Sequence, residues 1–362
     1  MSFIDNFSST NNTSSLVFKQ SKVPVFQNKV YLTESEAMQA PIAEVELIQS
    51  DVSGFIFNRV FNPDLMHYDQ NYQNEQANSY VFQQHLQNVF ELLKSFGLEK
   101  KKIIEVGSGK GVFFELLLNE GLDCWGFDPT YEGTNPRIQK DYFSEKYNDI
   151  NADVIIMRHT LEHIPNPFSF IHTIAKANNY SGHLYVEVPT FDWIVEKNAF
   201  WDIFYEHCNY FTEKSLAAMF DDALTGSLFG GQYIYLWADL SKLKTSISSG
   251  TKINKLSSLV FQGKLDYYKQ FLNEHKSLAI WGAGAKGSTF LNLLDPSRKY
   301  VKYVIDINPV KQNKYIAGTA HPIYSPEILN TSDVDTILVM NENYVSEIKN
   351  IIKNENKKLF NL

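Results

Sequence analysis

Cysteine is nearly absent from this chain: its 362 residues include only Cys124 and Cys208. Two thiols can build neither a disulfide framework nor a cysteine zinc cluster, and a reduced cytoplasm is the expected setting. No apolar run approaches the ~20 residues needed to cross a bilayer, and the N-terminus lacks a signal-type apolar core, so neither a membrane nor export is expected. Basic residues are also short, with Lys+Arg 33 against Asp+Glu 41 and a net charge of −8, which argues against a nonspecific nucleic-acid partner. A local basic pocket stays open. Apolar and aromatic residues, by contrast, are plentiful at 44% and 14%, enough to build real cores. The length fits two domains and a smaller third segment.

Three parts are expected, at 1–75, 76–250 and 251–362. Residues 1 to about 15 are rich in Ser, Asn and Thr and should fray. From 16 to 65, short apolar runs mix with Pro24, Pro41 and Pro63, predicting a small irregular N-terminal lobe. Val81, Phe82, Leu86, Val89, Phe90 and Leu93 recur at helical spacing, so a helix over 78–98 should lead into strands over 103–106, 124–127, 154–157 and 182–188. Helices over 111–119 and about 167–177 alternate with them, the pattern of a doubly wound parallel α/β sheet. A second α/β unit starts near Leu256, with an amphipathic helix, a strand over 277–281, the turn Gly282-Ala283-Gly284-Ala285-Lys286-Gly287 and a strand over 301–306. That turn matches the dinucleotide pattern, with Asp306 at the spacing of a ribose-binding acid; a turn-only role for its glycines is the alternative.

The run Glu105-Val106-Gly107-Ser108-Gly109-Lys110-Gly111 reads as a strand end, a glycine bend and a helix start. Glycines there let the backbone take positive φ and approach a ligand with no Cβ in the way. Asp128 closes the next strand, where its carboxylate could bond both hydroxyls of a ribose. The bend lacks the Gly-Lys-Ser/Thr ending that cradles a triphosphate, and its spacing differs from the dinucleotide fingerprint. An adenosine-containing cofactor with a cationic end is therefore expected, namely S-adenosyl-L-methionine. Glu105, Gly107, Gly109, Gly111, Asp128 and Arg158 are its candidate contacts.

Two further constellations carry possible chemistry. His159-x-x-Glu162-His163 has the order of an inverted zinc-protease motif, but no clear distal ligand accompanies it and no metal is expected. One histidine, His163, is expected to face the cleft, with Glu162 pairing locally. The segment 192–211 is dense in aromatics and centres on Tyr205-Glu206-His207, suggesting the walls of a small-molecule site. His207 has the ordinary pKa of a proton acceptor near neutrality, and Glu206 could orient it or act itself.

In this order the motifs resemble the sugar C-methyltransferases that act on nucleotide-linked keto sugars. The resemblance rests on the bend 105–111, Phe127-Asp128-Pro129, Glu206-His207-Cys208-Asn209-Tyr210-Phe211, and Trp281 to Gly287 with Asp306-Ile307-Asn308-Pro309. It implies a class I methyltransferase core, a C-terminal Rossmann-like domain and a small-molecule acceptor, a nucleotide sugar. Gly107, Gly109 and Asp128 would hold the methyl donor. Glu206 and His207 would form the base beside the reacting carbon, with His163 and Tyr72 as further active-site contacts. That family's N-terminal zinc lobe has Cys-x-x-Cys-Gly where this chain has Ser50-Asp51-Val52-Ser53-Gly54, so here the lobe is expected to hold by packing alone. Phe204 stands where a tyrosine is expected. O-methylation of a sugar or other polar metabolite is the alternative. An NAD-binding oxidoreductase or nucleotide sensor, built on the C-terminal turn, is a third reading. No feature of the sequence sets the oligomeric state.

Overall fold

The computed structural model describes residues 14–68, 72–148, 150–247, 253–275, 277–352 and 356–362. The boundary expected at 250/251 and most of the stretch expected to fray lie outside these residues. None of the described helices is long and apolar enough to cross a membrane.

The N-terminal lobe is more regular than its composition suggests. Strands β1 (Ser14–Pro24), β3 (Ile42–Ser50) and β4 (Ile56–Asn58) form an antiparallel sheet, while β2 (Val30–Tyr31) pairs elsewhere. Register shifts between Leu16 and Phe18 and between Gln20 and Val23 break the period-2 alternation of β1, which hides the strand from a pattern reading. Pro24 ends β1 and Pro41 precedes β3, positions that cost no ladder bond.

The central sheet is built from β5 (Lys102–Val106), β6 (Asp123–Phe127), β7 (Ile138–Gln139), β8 (Val154–Arg158), β9 (His183–Pro189), β11 (Leu224–Leu228) and β12 (Tyr233–Asp239), whereas β10 (Asn209–Tyr210) leaves to join the N-terminal sheet beside β4. Its order is β11-β12-β9-β8-β5-β6-β7, parallel from β9 to β7 and antiparallel at β12 and β11. The chain enters at β5, winds out to β7, then returns past β5 to β8, so the crevice between β5 and β8 is the topological switch point. Alternate residues of the central strands feed opposite faces. Ile103 and Ile156 pack with Phe82, Leu86 and Val89 of the helix Tyr80–Ser95, while Ile104 and Ile155 pack with Phe168, Ile171 and Ile174 of the helix Pro167–Ala177.

The C-terminal unit has a wholly parallel sheet of β13 (Leu278–Trp281), β14 (Val301–Ile305), β16 (Ile323–Tyr324), β17 (Thr336–Val339) and β18 (Lys358–Asn361), ordered β16-β14-β13-β17-β18; β15 (Tyr315–Ile316) pairs instead with β2. One apolar core joins Val17, Phe18 and Val45 of the N-terminal lobe, Phe200 and Trp201 of the central segment, and Phe261, Tyr268 and Phe290 of the C-terminal unit. The carboxyl ends of both parallel sheets open onto one cavity of about 740 Å³.

Candidate active site

The glycine bend after β5 has the expected backbone: φ is +81° at Gly107, +54° at Gly109 and +83° at Gly111. A Cβ on Gly107 would stand 2.1 Å from Thr160 Oγ1, so this bend packs directly on the loop after β8. The amide of Gly109 donates to Asp128 Oδ2 at 2.7 Å, and Asp128 Oδ1 accepts from the amide and hydroxyl of Thr130 at 2.8 and 2.7 Å. These bonds fix the carboxylate at the cavity wall beside the bend.

Glu105 lines the same region, 2% exposed, and its Oε2 has no hydrogen-bond partner among the described residues. Burial raises its pKa to about 7, with Arg158 pulling the other way. A cationic ligand group would supply the missing partner, so the bend, Asp128 and Glu105 together fit S-adenosylmethionine.

Arg158 reaches the cavity wall, and its guanidinium bonds Glu187 Oε2 at 2.8 Å and lies over the Phe113 ring at 4.6 Å. Glu187 also takes His85 Nε2 at 2.7 Å and His159 Nε2 at 3.2 Å. Against the effect of burial, Arg158 and these histidines hold Glu187 well below the usual carboxylate range. Arg158 thus stands on the cavity wall with Nε and one amino group held by Glu187. The Glu187 cluster was missed by sequence reasoning; a lone acid inside the apolar strand Leu184-Tyr185-Val186-Glu187-Val188 was the available signal.

At the other end of the cavity Tyr72 donates to Glu206 Oε2 at 2.6 Å, and the amides of Gln27 and Asn28 donate to Glu206 Oε1 at 2.5 and 3.1 Å. Burial raises the Glu206 pKa despite these donors. Glu206 is fully buried behind Tyr72, and it is Tyr72, not Glu206, that reaches the cavity.

The expected Glu206–His207 dyad is therefore corrected. The two side chains share no hydrogen bond, because the turn at Tyr205-Glu206 sends one carboxylate into the N-terminal lobe and the next imidazole into the cavity. His207 instead faces His163, ring centroids 4.8 Å apart, and rests on Phe204 at 4.1 Å. Burial above all, with His159 and Lys286 as cationic neighbours, holds its pKa well below the ordinary histidine value. Nδ1 of His163 lies 2.8 Å from the Glu206 carbonyl oxygen.

Most of the aromatic segment does not form cavity walls. Phe200, Trp201 and Tyr205 are at most 1% exposed and belong to the core shared by the three parts, leaving Trp193, Phe204 and His207 at the cavity.

The C-terminal bend mirrors the first. The amide of Ala283 donates to Asp306 Oδ2 at 2.8 Å and that of Asn308 to Oδ1 at 2.8 Å. Gly287 admits no Cβ, which would meet the Gly282 carbonyl at 2.1 Å. Lys311 Nζ donates to the Ala283 carbonyl at 3.2 Å and lies 4.0 Å from Asp306, and Lys286 pairs with Asp202 across the cavity.

In the N-terminal turn, Ser50 Oγ accepts from the amides of Val52 and Ser53, and Ser53 Oγ from that of Phe55, each at 3.2 Å. Zinc takes thiolate, imidazole or carboxylate ligands, and this turn offers two serine hydroxyls and one carboxylate, Asp51, which is taken up by Ser15 and Lys255, so the turn does not fit the ion.

Residues 74–223 match the family described as a methyltransferase domain, and residues 258–358 match the C-methyltransferase C-terminal domain. Over 344 residues the chain is 24% identical to C-methyltransferase NovU of Streptomyces niveus, covering 83% of this chain and 80% of that protein. It is 27% identical over 108 residues to the ubiquinone biosynthesis O-methyltransferase of Yersinia pestis strain Pestoides F, covering 26% of this chain and 45% of that one. A SAM-dependent methyltransferase from Archaeoglobus fulgidus superposes with a TM-score of 0.34 at 16% identity, over 44% of this chain and 99% of that one. With the donor bend, the switch-point crevice and both family matches in agreement, the chain is a class I S-adenosylmethionine-dependent methyltransferase that carries a C-methyltransferase C-terminal domain.

Proposed function

We propose that the enzyme methylates the carbon beside a ketone in a nucleotide-linked sugar, with His207 removing the proton. The observation that carries this reading is a half-buried imidazole, engaged in no hydrogen bond among the described residues, on the wall of the cavity that the donor bend also lines. When bound, S-adenosylmethionine supplies an electrophilic methyl group. The substrate carbonyl acidifies the adjacent C–H bond, His207 takes the proton, and the bond's electrons enter the enolate. A donor held by the bend, Asp128 and Glu105 would supply the methyl group that the enolate carbon takes up, the carbon–sulfur electron pair staying with sulfur. Tyr72 lines the acceptor end of the cavity with its proton donated to Glu206, so its oxygen is what it offers a substrate hydroxyl, and the position of Glu206 in turn depends on the amides of Gln27 and Asn28.

The C-methyltransferase C-terminal domain and the long match to NovU support carbon as the methylated atom. Lys286 and Lys311 line the cavity at the second bend, and exchange of their present partners, Asp202 and the Ala283 carbonyl, for phosphate oxygens would suit an anionic, nucleotide-linked acceptor. Incubation of the enzyme with a nucleotide-linked keto sugar in D2O is expected to exchange the α-proton even without methyl donor. Turnover of an acceptor lacking any ketone, with no exchange on the keto sugar, would overturn the carbon-acid mechanism and favour O-methylation, the activity named for the Yersinia relative.

A further inference from the structure

The loop after β8 places an acid and a histidine where the sequence offered no partner for them. Glu162 is 1% exposed, and among the described residues neither carboxylate oxygen makes a hydrogen bond and the one ionic contact is His159 Nδ1 at 3.5 Å from Oε1. Next to it, His163 Nδ1 faces the Glu206 carbonyl at 2.8 Å. A carbonyl oxygen only accepts, so Nδ1 carries the proton and Nε2 presents its lone pair. A backbone carbonyl holding the far nitrogen is the usual outer support of a metal-binding imidazole. The third group is His207, whose ring makes no hydrogen bond among the described residues and stands 4.8 Å from that of His163. One ligand atom from each of Glu162, His163 and His207 falls within 4.8 Å of the others, and all three residues line the cavity.

We propose that Glu162, His163 and His207 bind one divalent transition-metal ion of the zinc class. Two imidazoles and a carboxylate suit zinc and its neighbours better than magnesium or calcium, and the cavity leaves a coordination position open. His207 is the distal ligand that His159-x-x-Glu162-His163 lacked when read alone. His159 is not a ligand, since it lies between Glu162 and Glu187. In the other compatible trio, His85, His159 and Glu187, the carboxylate is already bonded by His85 and by the Arg158 guanidinium, which sets a fixed cation beside any ion there. Lys286, the nearby ammonium facing His207, is paired with Asp202. A bound ion occupies the lone pair His207 needs for proton abstraction. In that clause alone the inference rests on the proposed function, and it makes the ion an inhibitor of exchange.

The test titrates zinc into chelator-stripped full-length protein against a chromophoric competitor, with cobalt absorption as a second readout of the ligand set. One equivalent is expected to bind with a Kd of about 1 µM or tighter, weakened about a hundredfold or more by Glu162→Gln and by His163→Gln, while His85→Asn retains it. Absence of binding at ~100 µM zinc, or undiminished binding in a Glu162→Gln protein with a normal melting profile, overturns the site. One equivalent of zinc is expected to suppress α-proton exchange, and EDTA to restore it. Zinc bound through these ligands without suppression upholds the site and refutes His207 as the base.

Discussion

Affinity for the methyl donor is expected to rise about tenfold from pH 6 to pH 8 through one group, Glu105. Its carboxyl is buried, with one oxygen unpartnered, and its pKa is about 7 against an ordinary 4.5. In the ligand-free enzyme it is therefore about one-tenth ionised at pH 6 and nine-tenths at pH 8. A sulfonium or ammonium group placed beside it stabilises the anion and draws the pKa back toward the ordinary value, so binding at low pH must first expel a proton. Near pH 7 that amounts to about half a proton released per donor bound.

Isothermal titration in buffers of different ionisation enthalpy measures that release directly. Glu105→Gln is expected to flatten the dependence; titration of the donor's own amine is common to both proteins and drops out of the comparison. The same group sets a stability trend of the opposite sense. Its folded-state pKa is raised, so its contribution is fully present below the unfolded pKa and is lost as pH climbs through the folded one, by on the order of 3 kcal/mol between about pH 4.5 and above 7. The ligand-free protein should melt lower at pH 8 than at pH 6, and Glu105→Gln should remove that difference. A wild-type affinity that changes less than about twofold over this range, or a Glu105→Gln profile identical to wild type, refutes the placement of the cationic end beside Glu105.

Asp128→Ala removes the carboxylate that bonds the Gly109 amide and Thr130, and donor binding is expected to weaken by about 1–3 kcal/mol in titration calorimetry. His207→Ala should leave donor binding intact and lower kcat by about a hundredfold or more, read by single-turnover methyl transfer. Tyr72→Phe strips the buried Glu206 of its hydroxyl donor; turnover should fall with donor affinity unchanged, and stability should drop by about 1–3 kcal/mol in a denaturant melt. Phe290→Ala opens the core shared by all three parts, and calorimetry should show one cooperative transition lowered by about 3–5 kcal/mol, not a C-terminal unit melting alone.

The donor half of this site is legible because its signals are local. Three glycines with positive φ, an acid closing the next strand and apolar runs of strand length all lie within a few turns of chain. The acceptor half depends on which way neighbouring residues point. Glu206 and His207 read as a pair because they are adjacent, yet the turn between them assigns one to the N-terminal lobe and the other to the cavity. The aromatics of 192–211 carry the composition of a pocket wall, but composition cannot separate a wall from a core, and most of them fill the junction between three parts. His207 as the partner of Glu162 and His163 is a tertiary contact with no sequence spacing to announce it.

That junction explains how the N-terminal lobe can do without zinc. Its role at the site is narrow and precise: Gln27 and Asn28 present two amides to Glu206, and Glu206 holds Tyr72. Holding that carboxylate in place requires the strands around those amides to be anchored, and two anchors are present. Strand β10 follows Glu206 in the same segment and pairs with β4, so the chain that carries the carboxylate is tied to the lobe's sheet. Val17 and Phe18 of β1 pack into the core that contains Phe261 and Phe290, so the lobe is also fixed to the C-terminal unit. Serine hydroxyls close the turn at 50–54 locally, and the global position comes from burial. A metal staple would add a constraint already supplied on two sides.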